Sequence, residues 1–149
     1  MGQFEKVYTV EFYWDCPRSG IAEFVGRPHH YESAFDEAAD DYGAFVLRPV
    51  NDETLRTALE LWEMYVRFYR DHYPGSFPKH DVPVHPSDRD RYLSLWRAYD
   101  AAVKSTPPVT TTAKAAFRRV GGRSGPSALA TFEVRWTMTS TKHGPEPGA

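Results

Sequence analysis

The sequence predicts an α+β fold: a single domain in which an antiparallel sheet of about five to six strands packs on a two-helix hairpin. Short runs of alternating apolar and polar residues lie at both ends of the chain, and longer stretches with helical periodicity lie between them. Strands and helices do not alternate as they do in parallel α/β sheets. At 149 residues, the chain can bury a core without disulfide bonds or metal ions.

The N-terminal part of the chain is predicted to form a meander of strands. Residues 36–43 are too polar for a strand, and we expect a loop or one helical turn there. Pro17 and Gly20 favour a turn before the second strand, and Gly26 and Pro28 favour one after it. The expected strands are residues 6–14, 21–25, 29–35 and 44–50, with turns at 15–20 and 26–28.

Two helices are expected in the middle of the chain. Asn51 or Asp52 can cap the first helix, which runs for about five turns and ends at Pro74. The second helix begins near Pro86, with Ser87 or Asp88 as its cap. The first helix has one apolar stripe at Leu55, Ala58, Leu59, Trp62, Tyr65, Val66, Tyr69 and Tyr73, and a second at Leu61, Met64 and Phe68. It must therefore contact more than one surface.

The C-terminal part of the chain is predicted to add a hairpin to the sheet. Its strands cover residues from about 111 to 120 and from 129 to 139, around a Gly-rich loop at 121–126. The last strand alternates most regularly, so we expect the domain to end at residue 139 and the tail 140–149 to be disordered. Its inward side chains are Ala130, Phe132, Val134, Trp136 and Met138.

Charge is distributed unevenly around a net value of −2. Residues 1–50 carry nine acidic side chains against four Lys and Arg, whereas residues 106–149 carry two against six. The basic C-terminal part could bind an anion, or it could pair with acidic strands in the same sheet. With a pI near 6.3 and no RNA-binding sequence motif, nucleic acid is not favoured as a partner.

The compartment predicted by the sequence is the cytoplasm. A single Cys excludes an internal disulfide framework and fits a reducing environment. The first ten residues lack the apolar run of a signal peptide, and no stretch is long and apolar enough to cross a membrane.

Residues 13–29 carry an aromatic-Asp-x-Pro-x-x-Gly turn, a short strand and a Gly-x-Pro-His turn. These are formed by Tyr13, Trp14, Asp15, Pro17, Gly20, Gly26, Pro28 and His29. The pattern resembles the N-terminal part of small bacterial proteins of uncharacterised function. The resemblance extends through residues 47–49 and the Trp62 helix to the strand at 133–137. It implies a bacterial, cytosolic, single-domain protein and brings no chemistry with it.

The adjacent pair His29 and His30, with Glu32, is the first candidate site. On a strand, His30 and Glu32 share one face, and His29 shares the other with Tyr31. An imidazole beside a carboxylate can act as a general acid or base, or bind a metal with a third ligand. Alternatively, a His after Pro28 caps a turn with its ring nitrogen.

Cys16 and Arg18 precede this pair and could fold back beside it. A nucleophilic thiolate would need a lowered pKa, and no nucleophile motif surrounds Cys16, so we expect an inert thiol. Arg18 completes the predicted ligand-binding set of His29, His30, Glu32 and Arg18.

Other clusters match known sites less well. His72, His80 and His85, with Asp71 and Asp81, have no regular metal-ligand spacing, and the acidic residues 36–41 lack the spacing of a calcium loop. The segment with Arg118, Arg119 and Arg123 could cradle phosphate, but no helix follows it, so a hairpin turn is favoured. We therefore predict no metal, cofactor or catalytic residue.

The sequence favours a non-catalytic binding or interaction protein. Aromatic residues make up 15% of the chain, which exceeds the needs of a core and suggests a groove or dimer interface. The partner would be a protein or a small molecule, and a homodimer is compatible with this. The alternative is an enzyme or small-ligand protein that uses the His29, His30 and Glu32 region.

Overall fold

The computed structural model describes residues 2–36, 41–72, 82–109, 111–120 and 130–138, apart from the side chains of residues 14, 36, 41 and 42. The strands are β1 (Glu5–Lys6), β2 (Phe12–Trp14), β3 (Cys16–Phe24), β4 (Arg27–Asp36), β5 (Asp41–Pro49), β6 (Ala113–Val120) and β7 (Thr131–Met138). The helices are α1 (Asp52–His72) and α2 (Arg89–Lys104), the latter preceded by a 3-10 turn at Pro86–Asp88. The predicted α+β class is confirmed, with seven strands in the described part of the chain instead of five to six.

The chain divides into two compact units. One contains the sheet and is built from Met1–Pro49 and Pro107–Ala149, and the other contains the helices and spans Val50–Thr106. No helix among the described residues is long and apolar enough to cross a membrane.

The sheet is antiparallel throughout, with the strand order β1-β7-β6-β5-β4-β3-β2. Its two end strands, β1 and β2, belong to one continuous segment, residues 5–14. Val7 lies where this segment passes from one neighbour to the other: its N–H donates to the Phe132 carbonyl of β7 at 3.3 Å, and it forms a bridge with Ala22 of β3. The sheet therefore closes on itself through the N-terminal segment.

The single strand expected at residues 6–14 is divided by this crossing. Thr9 and Val10 are both buried although they are neighbours, and Phe12, which strand alternation would place on the face of Val10, is 61% exposed. The alternation breaks because the segment pairs first with β7 and then with β3, and a register shift follows Phe12.

The two N-terminal turns are shorter than expected. Trp14 pairs with Cys16, so Asp15 alone reverses the chain with φ of 69°, and the expected turn at 15–20 is wrong. Asp accepts this left-handed conformation more readily than most residues. The second turn lies at Val25 and Gly26, one residue earlier than predicted, and Arg27 already belongs to β4.

Gly20 lets the N-terminal segment approach β3 closely. Its φ is +153°, and a methyl group there would overlap the Thr9 carbonyl and lie 2.9 Å from the Tyr31 hydroxyl. Thr9 Oγ1 in turn accepts a hydrogen bond from Ile21 N at 2.8 Å. A glycine is required because two backbones meet at this position.

Aromatic rings fill the interior of the closed sheet. Tyr31, Phe45, Phe117 and Trp136 contact one another with ring centroids 5.8–6.2 Å apart. Tyr31 is fully buried, and Phe45 and Trp136 are 2% and 4% exposed. These four rings therefore belong to the core, in tilted and edge-to-face arrangements that stabilise it.

The remaining strands differ from their predicted bounds at the ends. The loop expected at residues 36–43 is wrong for Asp36 and for residues 41–43, which belong to β4 and β5, and residues 37–40 lie outside the described residues. In β7, Phe132, Val134 and Trp136 are buried as predicted, whereas Met138 is 40% exposed. The predicted loop at 121–126 and tail at 140–149 also lie outside the described residues.

The first helix is capped by Asn51, whose Oδ1 accepts a hydrogen bond from Thr54 N at 2.8 Å. Its buried residues are Thr54, Ala58, Leu61, Met64 and Phe68. The second apolar stripe, formed by Leu61, Met64 and Phe68, is therefore more deeply buried than the first. Ahead of α2, Asp88 makes no side-chain cap, because its carboxylate accepts a hydrogen bond from Arg67 instead.

Candidate functional site

The register of the sheet places His30 and Glu32 on one face of β4, as predicted. His30 lies opposite Ile21 of β3 and Arg48 of β5, and Glu32 lies opposite Ser19 and Val46. His30 is buried at 7% exposure, whereas Glu32 is exposed.

A carboxylate close to His30 belongs to Glu11, which the sequence did not indicate. His30 Nε2 lies 3.4 Å from Glu11 Oε1, and their side chains are 8% and 16% exposed. The pair spans β3, because Glu11 N donates to Ser19 O while His30 pairs with Ile21. The two residues are 19 positions apart in the sequence, and only the closure of the sheet brings them together.

His29 faces the opposite side and is used by the turn that precedes it. Its Nδ1–H donates to the Arg27 carbonyl at 2.9 Å, and its ring meets Phe24 edge-on at a centroid distance of 5.1 Å. These contacts are those of a turn-capping histidine. They hold the ring in place and leave Nε2 as the acceptor of the neutral form.

Cys16 and Arg18 belong to the start of β3, where the register with β2 shifts between Pro17 and Ser19. In the pairing of β3 with β4, Glu32 lies opposite Ser19 and His30 opposite Ile21, so neither Cys16 nor Arg18 is directly opposite the predicted pair. Burial has the largest effect on the pKa of the Cys16 thiol and raises it. The positive charge of Arg18 lowers this pKa by a smaller amount, and the negative charge of Asp15 raises it. A raised pKa leaves the thiol protonated, which disfavours nucleophilic chemistry.

Two of the three predicted histidines of the helical unit come together. His85 Nε2 lies 2.8 Å from Asp71 Oδ2, and the His72 ring stacks on Phe68 at 4.0 Å. The centroids of His72 and His85 are 5.6 Å apart. His80 and Asp81 lie outside the described residues. Among the residues that are described, no group of three or more His, Cys, Asp or Glu side chains could hold a metal ion.

A separate concave surface lies on the helical unit. It is an open groove of about 580 Å³ between α1 and the start of α2, and we call it the hairpin groove. Leu59 and Met64 form its apolar part. Its charged lining consists of Arg56, Glu60, Glu63, Arg67, Asp88 and Arg91.

Two ion pairs orient two of the three arginines of the hairpin groove. Arg67 Nη2 donates to Asp88 Oδ2, and Arg91 binds Glu60 through two nitrogens, with Nη2 2.9 Å from Oε1. Hydrogen bonding to these carboxylates raises the pKa of Arg67 and of Arg91, and Arg91 lowers the pKa of Glu60. Both guanidiniums thus stay charged and oriented toward solvent.

The α1 side of the hairpin groove follows from helical spacing, although it was not among the predicted sites. Arg56, Glu60, Glu63 and Arg67 recur at intervals of four, three and four residues, which places them on one face of α1. The other side of the groove is formed by Asp88 of the 3-10 turn and Arg91 of α2. Its position depends on how the chain returns toward α1.

Comparison with known proteins gives no relative: no family model, no curated protein and no solved structure matches the chain. The resemblance noted for residues 13–29 therefore remains an expectation.

Proposed function

We propose that the protein is a non-catalytic interaction protein that binds a short segment of a protein partner in the hairpin groove. The observation that carries this proposal is the arrangement of Arg56, Arg67 and Arg91 around the apolar Leu59 and Met64. Guanidiniums bind carboxylates in a planar, bidentate manner, and Arg is enriched at the centres of protein interfaces. A groove of about 580 Å³ suits a short segment better than a globular surface.

The lining also defines the chemistry of the partner. Three basic and three acidic side chains balance within the groove, so a segment of uniform charge would be repelled by half of them. A segment with a carboxylate beside an apolar side chain can bind the arginines and cover the half-buried Leu59, below which Met64 is already buried. Exposed ion pairs contribute little to stability, so Arg67 and Arg91 can exchange their carboxylates at small cost.

Selection from a random peptide library displayed on phage tests this proposal. The full chain should enrich peptides in which Asp or Glu lies next to Leu, Met or Phe. The same selection with an Arg56→Ala/Arg91→Ala chain should lose that enrichment, because two of the three guanidiniums are removed. Arg97, which is exposed on α2 and does not line the groove, supplies the control variant Arg97→Ala.

Two results would overturn the proposal. One is a selection that returns no shared sequence pattern. The other is a pattern that the Arg56→Ala/Arg91→Ala chain enriches as well as the parent does. Thermal melts of all variants confirm that the fold is intact.

The alternative is a small-ligand protein that uses the sheet face carrying His30. The close approach of His30 and Glu11 favours it, because a carboxylate beside an imidazole is a common acid–base pair. Glu32→Ala should then abolish stabilisation by a small metabolite while the melting temperature without ligand changes little, because Glu32 is exposed. His30→Ala should abolish the same stabilisation and also lower the melting temperature without ligand, because His30 is buried. If neither substitution alters any thermal shift across a metabolite panel, this alternative fails.

A further inference from the structure

The outer face of β1, β7 and β6 carries a concentration of positive charge that the net charge conceals. Lys6 and Arg118 both lie opposite Glu133, Arg135 lies opposite Ala116, and Lys114 lies opposite Thr137. Directly paired residues point to the same side of a sheet, so all of these side chains share one face. We call it the basic face: Lys6, Lys114, Arg118, Glu133 and Arg135. Four are basic and one is acidic.

The basic face is exposed to solvent. Lys6, Lys114, Arg118 and Arg135 are all exposed, and the Arg118 side chain is 56% exposed even though it binds Glu133. The alternate residues of β7, Val134 and Trp136, are buried in the interior. The small or short side chains of Ala116, Thr131 and Thr137 separate the charges, so an extended ligand can approach the strands closely.

Aromatic rings lie among these charges. The guanidinium of Arg118 stacks over the Phe4 ring at 3.8 Å, and that of Arg135 lies 5.1 Å from the same ring. Lys6 Nζ lies 4.7 Å from the Tyr8 ring, and the Tyr8 hydroxyl donates to Glu23 Oε2 at 2.8 Å. The cations and the rings therefore hold one another in fixed positions.

We propose that the basic face binds single-stranded nucleic acid. Proteins that bind single strands combine a positively charged track for the phosphates with aromatic and guanidinium planes on which bases stack. The basic face has both, on a sheet surface three strands wide. Acidic and basic side chains balance in the hairpin groove, so the groove has no comparable excess of positive charge. The basic face is therefore a separate site from the one proposed for the protein partner.

The net charge gave no sign of this site because its members are distant in the chain. Lys6 belongs to the acidic N-terminal part, and only the pairing of β1 with β7 places it beside Arg118 and Arg135. The basic C-terminal part is offset at one point by the Arg118–Glu133 ion pair, with Nη2 2.6 Å from Oε1. The remaining cations exceed that compensation.

Fluorescence anisotropy with a labelled oligouridylate of about 12 nucleotides tests the proposal, since such platforms occupy roughly 4 to 16 nucleotides. The logarithm of the affinity should fall linearly with the logarithm of the salt concentration, with a slope between about −2 and −3 for four basic contacts. Arg118→Ala and Arg135→Ala should each make the slope shallower by about 0.7, and Phe4→Ala should weaken binding by about 10-fold. Arg97→Ala, with the same change of charge on the helical unit, should bind like the parent.

Three outcomes would overturn the proposal. The first is no binding at low salt, and the second is binding that Arg118→Ala and Arg135→Ala do not change. The third is equally tight binding to polyglutamate or to anionic phosphatidylserine vesicles with the same dependence on Arg118, which would assign the face to an acidic partner or a membrane surface. Melting temperatures of the arginine variants should stay close to that of the parent because Arg97, Arg118 and Arg135 are exposed. Phe4 is half-buried, so binding by Phe4→Ala is compared at a temperature where its melt shows the folded state.

Discussion

The Tyr31 hydroxyl donates a hydrogen bond to the Thr9 carbonyl at 2.9 Å, across the position occupied by Gly20. This contact joins the N-terminal segment to β4 over the strand between them, at the place where the sheet closes. Gly20→Ala should destabilise the protein by about 3 kcal/mol or more, because the added methyl overlaps the Thr9 carbonyl. Urea denaturation measures the change.

The matched control is Gly26→Ala. Gly26 also has positive φ, at +75°, but no atom lies within 4 Å of an added methyl. Its cost should be conformational only, about 1 to 2 kcal/mol. Equal costs for the two substitutions would contradict the close approach of the two backbones at Gly20.

Val25 is expected to be a strained position. It has φ of +54° and is 76% exposed, and its N–H and that of Gly26 both donate to the Glu5 carboxylate, at 3.1 and 2.7 Å. A β-branched residue is disfavoured in this conformation, whereas Asn tolerates it. Val25→Asn should therefore raise the free energy of unfolding by about 1 kcal/mol in denaturant titration. A loss of stability would show that the side chain makes a contact that outweighs the strain.

Alkaline pH should weaken the helical unit through Tyr65. Burial, with Tyr69 and Tyr92 nearby, raises the pKa of Tyr65 from 10.0 to about 12. The folded state therefore keeps this proton while the unfolded chain releases it, so stability is complete below pH 10 and falls as the pH rises toward 12. The slope should be less than the full one-proton value of about 1.4 kcal/mol per pH unit, because the ring is partly screened by solvent.

Melts of the parent and of Tyr65→Phe between pH 9 and 12 check this expectation. The decline should be shallower in the variant, which lacks the ionisable group. Parallel declines would mean that Tyr65 ionises equally in the folded and unfolded states.

His29 should act as a structural residue. His29→Ala removes the hydrogen bond to the Arg27 carbonyl and the edge contact with Phe24, and should cost about 1 to 2 kcal/mol in thermal unfolding. Phe24→Leu removes only the ring contact and should cost less. A variant with His29→Ala that melts like the parent would contradict the turn-capping role.

The element types were predictable because each depends on local pattern. Alternation in β7, the Asn51 cap and the apolar spacing of α1 all lie within short windows of sequence, and each identified its element. Glu5 pairs with Val134, however, across most of the chain length. Alternation cannot show such a partner, and this is why the division of residues 6–14 was missed.

The candidate site was partly predictable for the same reason. His30 and Glu32 share a strand, so their common face followed from alternation, but Glu11 reaches His30 over another strand.

The turn at Asp15 was misjudged because Pro17 and Gly20 are common in turns, whereas here Pro17 pairs with Tyr13 and Gly20 makes room for Thr9.

Calorimetric titration of a peptide from the library selection into the parent, Arg56→Ala, Arg91→Ala and Arg97→Ala chains tests the central claim most directly. If the hairpin groove is the binding site, Kd should rise about 10-fold or more in the first two variants and stay unchanged in Arg97→Ala. Equal Kd values in all four chains would contradict the assignment of partner binding to the hairpin groove.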